Sequence, residues 1–178
     1  LPVKYRDLTA VAKLNAVSTD TPALFKVRCM QKPTVRYPRK NFTVTSCEVE
    51  DISGRAQVIW FNQPYMAQNI EDGAEIYLYG CIEIKQGRRR LMNPTIEHED
   101  ELCIVPVYRL PASCGMNQKA MRGLMKQTIE YCSSKEREIF PSDFRARHQL
   151  AERNFAITNI HFPQSETALL QARRRLCF

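Results

Sequence analysis

The sequence predicts a chain of the β + α class, in which a five-stranded β-barrel over residues 22–102 is followed by an α-helical segment over residues 103–178. Three observations predict this order. Polar and apolar residues alternate in short runs as far as residue 97, which is typical of half-buried strands. A possible short helix starting at Pro64 separates the third run from the fourth. After residue 102 the apolar spacing becomes helical. Residues 1–21 show no period and are predicted to be an irregular lead-in.

The predicted strands span residues 23–31, 41–49, 55–61, 74–84 and 88–97. Residues 32–40, which contain two prolines and four bases, are predicted to form a loop. Turns are predicted at 51–54 and 86–87, where Asp, Ser and Gly favour turn conformations. Five strands with a helical element between the third and the fourth have the order of an oligonucleotide-binding (OB) barrel.

The helical segment begins after an acidic connector at residues 97–101. Asn117 is a plausible N-cap for a helix over 118–132. One face of that helix carries the residues at helical spacing, which are Met121, Leu124, Met125, Thr128, Ile129 and Cys132. Further helices are predicted over 150–160 and from Ser165 to Phe178.

Charge is distributed unevenly along the 178 residues, whose net charge is +7. Residues 22–102 hold eleven basic and eleven acidic residues, whereas residues 103–178 hold twelve basic and six acidic ones. The basic segment is either a solvated helical surface or a flank that faces phosphates. No stretch approaches about 20 apolar residues, so we expect no membrane span. We expect a cytoplasmic location, because the cysteines are typical of reduced core residues. Because Leu1 is not Met and no signal-like segment follows, we expect the chain to be an internal part of a longer protein.

Neither a metal site nor a catalytic site is predicted. The seven cysteines include no C-x-x-C pair, and no histidine flanks a cysteine at ligand spacing, so Cys29, Cys47 and Cys81 are interpreted as reduced core residues. The six glycines form no phosphate-binding loop, and no nucleophile or metalloprotease motif occurs. Asp143 and His148 form a carboxylate–imidazole pair by sequence alone, and a surface helix explains them better. The sequence therefore predicts no catalytic residue and no cofactor.

Two groups of bases favour nucleic-acid binding. In an OB barrel, the loops between strands 1 and 2 and between strands 4 and 5 flank the binding face, and we expect both to lie together here. The first loop carries Lys32 and Tyr37 besides its other bases. The predicted phosphate-binding residues of the two loops are Arg36, Arg39, Lys40, Lys85, Arg88, Arg89 and Arg90. The alternative is that these bases only keep the loops soluble.

Aromatic residues between positions 60 and 65 supply a second signal. Alternation directs Trp60 and Phe61 to opposite faces, so that one can fill the barrel while the other faces outward. Tyr65 follows a turn made by Asn62 and Pro64. An exposed pair of rings beside basic loops can stack on bases, although a small hydrophobic cluster would show the same pattern.

The ordered set of motifs resembles the wedge domain of the bacterial ATP-dependent DNA helicase RecG together with its helical continuation. The family's L-P-x-x-Y-x-D is similar to residues 1–7, and its S-G and aromatic–F-N motifs are similar to Ser53-Gly54 and Trp60-Phe61-Asn62. The remaining motifs are Pro106-Val107-Tyr108, Ile160-His161-Phe162-Pro163 and Ala172-Arg173-Arg174-Arg175-Leu176. The resemblance covers essentially the whole chain.

This resemblance implies a wedge that sits at the branch point of stalled replication forks and Holliday junctions while motor domains pull the duplex. It implies that Phe61 and Tyr65 stack on bases at the junction. ATP and Mg²⁺ would belong to the motor domains, so the implied partners are branched DNA and those domains, with the chain acting as a monomer. Two alternatives stay open, which are a generic module for single-stranded nucleic acid and a protein-interaction domain with an acidic partner.

Overall fold

The computed structural model describes residues 1–17, 19, 21–99, 102–110, 113, 115–133, 135 and 137–178. It divides into two compact units. The barrel unit spans Asp7–Leu102, and the helical unit combines Leu1–Arg6 with Cys103–Phe178. Each unit is described by itself below.

The described residues form eleven strands and five helices. In chain order the strands and the one intervening helix of the first 107 residues are β1 Lys4–Asp7, β2 Val11–Ala12, β3 Ala23–Cys29, β4 Thr34–Arg39, β5 Phe42–Asp51, β6 Gly54–Phe61, α1 Met66–Asn69, β7 Glu75–Gly80, β8 Ile82–Lys85, β9 Arg88–Met92, β10 Thr95–Glu97 and β11 Ile104–Val107. The remaining helices are α2 Gln118–Ser133, α3 Ser142–His148, α4 Arg153–His161 and α5 Glu166–Cys177.

The barrel unit has OB connectivity, which confirms the predicted fold class. Its hydrogen-bonded strands follow the order β10-β7-β3-β5-β6-β9-β8, with β2 added beside β3 and β4 beside β5. The pair β6–β9 is parallel, whereas β7–β10 is antiparallel. Because β9 and β10 are consecutive segments joined at Asn93-Pro94, the chain itself links one end of the ladder, β10, to the β8–β9 pair at the other.

The barrel core is built from the inward half of each alternating strand. Ala56, Val58 and Trp60 of β6 are buried, and Phe25 and Val27 of β3 face them as part of the same cluster. Trp60 is fully buried, and its indole Nε1 donates a hydrogen bond to the carbonyl oxygen of Pro94 at 3.0 Å. Burial of a ring this large contributes on the order of 3 kcal/mol, so Trp60 is a main anchor of the barrel.

Three details of the predicted barrel were wrong. Residues 32–40 contain strand β4, which pairs antiparallel with β5 across an irregularity between Arg36 and Arg39. β4 lies at an edge and is therefore able to contain Pro38. The lead-in 1–21 includes the short strands β1 and β2. The fourth and fifth predicted strands are each divided in two, at Cys81 and at Asn93-Pro94.

The bend between β7 and β8 has a steric reason at Gly80. A Cβ atom there would lie 3.2 Å from the Cβ of Pro94, closer than most such contacts. Only a residue without a side chain lets β7 and the 93–94 segment approach this closely. The bend could not be predicted from the alternation of residues 74–84. Leu78 and Ile82 are both buried and are four residues apart, so the two-residue period continues through the bend.

The helical unit packs α4 against α5 beside a two-stranded sheet of β1 and β11. Ala156, Ile160, Leu169 and Ala172 form its apolar cluster, and Tyr5 packs against it. The predicted helices over 118–132 and 150–160 correspond to α2 and α4. The predicted cap of the last helix is confirmed, because the Ser165 Oγ accepts a hydrogen bond from the Ala168 amide at 3.0 Å.

An ion-pair network ties the ends of this unit together. The Glu138 Oε1 atom accepts hydrogen bonds from the Phe140 amide at 3.0 Å and from Arg175 Nη2 at 2.9 Å, and its Oε2 accepts one from the Arg153 amide at 2.7 Å. The guanidinium of Arg175, only 6% exposed, also lies 4.5 Å from the Phe140 ring. Burial alone would raise the pKa of Glu138, but the amide and arginine donors outweigh it and lower the pKa to about 2.

No helix in the described ranges has both the length and the apolar character that a membrane crossing requires.

Candidate nucleic-acid interface

The side chains of β5, β6 and β9 that point away from the core form one continuous surface, which we call the outer face. Residues directly paired across strands point to the same side of a sheet, so the register fixes its rows. One row joins Arg36, Val44 and Phe61 across β4, β5 and β6. The next joins Ser46, Ile59 and Met92. A third row joins Glu48, Gln57 and Arg90.

Phe61 occupies the end of the outer face beside the β4–β5 turn. Its ring is partly exposed and lies stacked on Phe42, with the centroids 5.7 Å apart and the planes 23° from parallel. Alternation correctly placed Phe61 and Trp60 on opposite faces, and the structure shows that Phe61 faces outward and Trp60 inward. The role of Phe42 was missed, because only the pairing of β5 with β6 brings the two rings together.

Two asparagines hold the backbone of Phe61 in place. Asn93, with a φ of 46°, accepts a hydrogen bond from the Phe61 amide through Oδ1 at 2.8 Å. Asn62, with a φ of 54°, accepts one from the Thr43 amide through Oδ1 at 3.1 Å. Asparagine is among the few residues that adopt this left-handed conformation readily. The backbone is therefore held at Phe61 itself and at the residue that follows it.

Tyr65 stands just before α1, and half of its surface is exposed. Its hydroxyl donates to Gln63 Oε1 at 2.9 Å. The carbonyl of Gln63 in turn accepts a hydrogen bond from the buried Thr45 Oγ1 at 3.0 Å, which anchors the turn on β5. Trp60 is completely buried and so is not available to a ligand on this surface.

The first basic group lies next to these rings. Arg36 is two strands from Phe61 in the same row, which is a separation of about 10 Å at the usual strand spacing. Arg39 pairs with Phe42 at the base of a turn formed by Lys40 and Asn41. Tyr37 is 73% exposed on the same strand. This end of the outer face thus combines exposed rings with cations.

The second basic group belongs to a tight hairpin of β8 and β9. Its two-residue turn, Gln86-Gly87, has φ values of 53° and 74°, as a type I′ turn requires. Lys85 pairs with Arg88 and Ile84 with Arg89. Arg88 and Arg90 therefore share one side of the hairpin, and Arg89 lies on the other.

The expectation that the two basic loops lie together was wrong. β9 runs parallel to β6 with Arg90 level with Gln57, which places Arg88 at the level of Arg55. The β4–β5 turn instead lies beyond Phe61, at the opposite end of β6. Six residues of strand, about 20 Å, separate the two levels. The Phe61 and Phe42 rings therefore lie beside the basic residues of the first loop, whereas the second loop lies at the far end of the outer face.

Several cations at both ends have side chains without a partner among the described residues. Within that part of the chain, no side-chain hydrogen bond or ion pair involves Arg36, Arg39, Lys40, Lys85 or Arg88. The Nε atoms of Arg89 and Arg90 are covered but donate to no described acceptor. Because no described carboxylate forms an ion pair with these side chains, they are available to phosphate oxygens. Glu83, which stands opposite Arg90, is the nearest acidic residue on the hairpin ladder.

The turn that joins β5 to β6 is locked by a carboxylate. Asp51 Oδ1 accepts hydrogen bonds from the Ser53 and Gly54 amides at 2.7 and 2.9 Å, and Oδ2 accepts one from the Leu14 amide at 2.8 Å. Burial opposes ionisation, but these donors together lower the pKa of Asp51. At neutral pH this carboxylate therefore holds the end of the β5–β6 pair that lies level with Arg88.

Comparison with known proteins decides the family. The family model described as the RecG wedge domain matches residues 1–132. The chain belongs to the RecG wedge domain family. It is 27% identical to the ATP-dependent DNA helicase RecG of Staphylococcus aureus over 186 aligned residues, which cover all of this chain and 26% of that protein. It is 24% identical to RecG of Thermotoga maritima, over 99% of this chain and 23% of that protein.

A solved structure shares the fold. The chain superimposes on RecG bound to a three-way DNA junction with a TM-score of 0.78 and 23% identity, covering 98% of this chain and 24% of that one. The chain thus spans about a quarter of the length of the RecG proteins it matches.

Proposed function

We propose that this chain binds branched DNA, such as stalled replication forks and Holliday junctions, as the strand-separating wedge of a RecG-like DNA translocase used in recombination and repair. The observation that carries the proposal is the end of the outer face at Phe61. There, the Phe61 ring, whose backbone amide is held by Asn93, lies in one row with Arg36, a cation without a side-chain partner among the described residues. The exposed Tyr65 follows four residues later in the chain. The homologous fold was solved bound to a three-way DNA junction.

Phe61 and Tyr65 would receive bases at the branch point, and Arg36, Arg39 and Lys40 would hold the phosphates that flank them. Stacking of a base on an aromatic side chain is worth about 1–3 kcal/mol, which is similar to the roughly 1.4 kcal/mol per step lost from the duplex. The exchange is therefore nearly balanced, and strand separation needs work from outside this chain. Motor domains of the same polypeptide would supply it by hydrolysing ATP with Mg²⁺ in the cytoplasm. This chain would contribute no catalytic residue or cofactor and would act as a monomer.

A competition measurement tests the preference for a branch. A labelled three-way fork is bound to the chain and displaced by an unlabelled fork or by single-stranded DNA of equal nucleotide number. We expect the fork to compete at least tenfold better. Equal competition by the single strand would instead identify a generic single-strand module. For about four phosphate contacts, the logarithm of DNA affinity should fall with the logarithm of salt concentration with a slope of about −3 to −4. If the chain is instead a protein-interaction domain with an acidic partner, no DNA binding with this salt dependence is expected.

Tyr65→Ala tests the ring site with little risk to the fold, since the side chain is exposed. We expect fork affinity to fall by about fivefold to a hundredfold, from the loss of one base stack. A 2-aminopurine placed at the branch should lose its quenching in the variant. Tyr131→Ala, which removes an exposed ring from α2 in the helical unit, is the matched control and should leave both readouts unchanged. Equal effects of the two substitutions would refute the stacking role.

A further inference from the structure

We propose that the β8–β9 hairpin enters the major groove of a duplex arm about six base pairs from the branch point, with its two faces against the two phosphate backbones. This inference rests on the proposed function and adds a second site, together with the class of DNA that it takes. It also gives a role to Ile84, an exposed apolar residue that the ring site does not use.

The hairpin separates from β6 towards its turn. β9 pairs with β6 only from Arg90 to Met92, whereas its pairing with β8 continues to Arg88. The segment 84–89 is therefore a two-stranded ribbon outside the barrel wall. The left-handed pair Gln86-Gly87 closes it tightly. Gly87, Arg88 and Arg89 line one side of a cavity whose other side includes Glu48 and Arg55 of β5 and β6.

The ribbon carries cations on both faces. Lys85, Arg88 and Arg90 lie on one side, and Arg89 lies on the other beside Ile84, which is 55% exposed. A ligand that satisfies both sides must present negative charge to opposite faces of a thin ribbon. The major groove of B-DNA, about 12 Å wide and bordered by two phosphate backbones, admits a two-stranded β-ribbon. A single strand would satisfy only one face.

The distance to the rings sets the position on the arm. The level of Arg88 and that of Phe61 are separated by about 20 Å of strand β6. Duplex DNA rises about 3.4 Å per base pair, so a branch held at Phe61 places the hairpin about six pairs along an arm that follows the outer face. Ile84 would then lie against the sugars of the groove wall, where an apolar side chain is not penalised.

Arm length provides the test. The double variant Arg88→Ala/Arg89→Ala is compared with the native chain on a three-way fork whose arms are all 15 base pairs long. It is also compared on three matched forks in which one arm at a time is duplex for only four pairs and continues single-stranded. We expect the double variant to lose about tenfold in affinity and about two units of log–log salt slope on the full fork. On the one fork that lacks the contacted arm, the loss should fall to within twofold.

Phosphate ethylation interference locates the contact. Native chain should show sensitive phosphates on both strands about six pairs from the branch, and Ile84→Ala should weaken this signal while the signal at the branch stays. The control for charge is Lys13→Ala/Arg137→Ala, which removes two exposed cations outside the hairpin and should give no dependence on arm length. Ile139→Ala, at an exposed isoleucine of the helical unit, is the control for apolar loss.

The outcomes separate the two proposals. If the native chain does not prefer a fork and Tyr65→Ala has no effect, the proposed function is wrong. If it prefers the fork but the loss in Arg88→Ala/Arg89→Ala is the same on all four forks, or interference is confined to one strand, the groove inference alone is overturned.

Discussion

The arginines of α5 in the helical unit and the bases at the two turns of the barrel unit use their charges in opposite ways. The barrel unit, residues 7–102, holds twelve basic and thirteen acidic residues, a net charge of −1. The helical unit holds fourteen basic and six acidic ones, a net charge of +8. Yet the candidate interface lies on the unit that is nearly neutral. Net charge therefore does not locate the site, whereas the partners of individual cations do.

The arginines of α5 show the contrast. Arg175 pairs with Glu138, Arg174 donates to the carbonyl oxygen of His148 at 3.0 Å, and Arg173 lies 5.4 Å from the Tyr5 ring. These three side chains hold the helical unit together. Five cations of the two basic groups on the barrel unit have no such side-chain partner among the described residues. They are Arg36, Arg39, Lys40, Lys85 and Arg88. Cations left without partners are free to meet a ligand, and those within a network are part of the fold.

The largest effect is expected at Trp60, which separates core from interface within the barrel unit. Trp60→Ala should lower the free energy of unfolding by about 3–5 kcal/mol, because the ring is fully buried and donates to Pro94. Urea denaturation followed by far-UV circular dichroism measures this. An unchanged midpoint combined with lost DNA affinity would instead make Trp60 a ligand-binding residue.

Glu138→Gln tests whether the helical unit depends on its ion pairs. We expect a loss on the order of 2–3 kcal/mol at neutral pH, because Arg175 is left buried without a counter-charge. Ellipticity at 222 nm should follow this transition, whereas the fluorescence of Trp60, the single tryptophan, reports on the barrel. Glu130→Gln, at an exposed position on α2, is the control and should change stability by less than about 0.5 kcal/mol.

The same pair predicts a pH dependence. The pKa of Glu138 is lowered from 4.5 to about 2 in the folded state, so its contribution is complete above pH 4.5. It is lost as the pH falls towards 2, where the folded carboxyl also takes up a proton. The stabilities of native chain and Glu138→Gln should therefore converge over that range. A difference that stays constant down to pH 2 would show that charge is not the cause.

Asn93 tests how rigidly the barrel unit holds its ring. Asn93→Ala loses the acceptor for the Phe61 amide and places a less tolerant residue at a φ of 46°, for a total of about 2 kcal/mol. Asn93→Gly keeps the backbone conformation and should lose about half as much. Fork affinity should fall in both variants, since the ring loses its support. If glycine and alanine are equally destabilising, backbone strain makes no contribution here.

The smallest change in stability is expected for the partnerless cations. Substitution of each by glutamine should leave the unfolding free energy within about 0.5 kcal/mol, because no intramolecular contact is lost. The residues are Arg36, Arg39, Lys40, Lys85 and Arg88. Fork affinity measured alongside should decline with each. Arg175→Gln is the counterpart in the helical unit and should lower the unfolding free energy by about 2 kcal/mol or more. If Arg175→Gln is as stable as the five glutamine variants, the contrast between paired and unpaired cations is wrong.

Much of the barrel unit is visible in local patterns. Alternation separates Trp60 from Phe61, because successive side chains of a strand point to opposite faces whatever the strand pairs with. The turn at Gln86-Gly87 follows from local backbone preferences, as does the serine cap of the last helix. These features need only the neighbouring residues, and the sequence contains them.

The sequence by itself determined the OB order of the strands, the division of each strand into two faces, and the family to which the chain belongs. The tertiary structure alone decided that residues 34–39 join β5 as a strand, that Phe42 supports Phe61, that Asn93 holds its amide, and that two basic turns lie about 20 Å apart rather than together. Each of these depends on register between strands distant in the chain. A period of two residues fixes which face a side chain occupies, but not which residue of another strand stands opposite it.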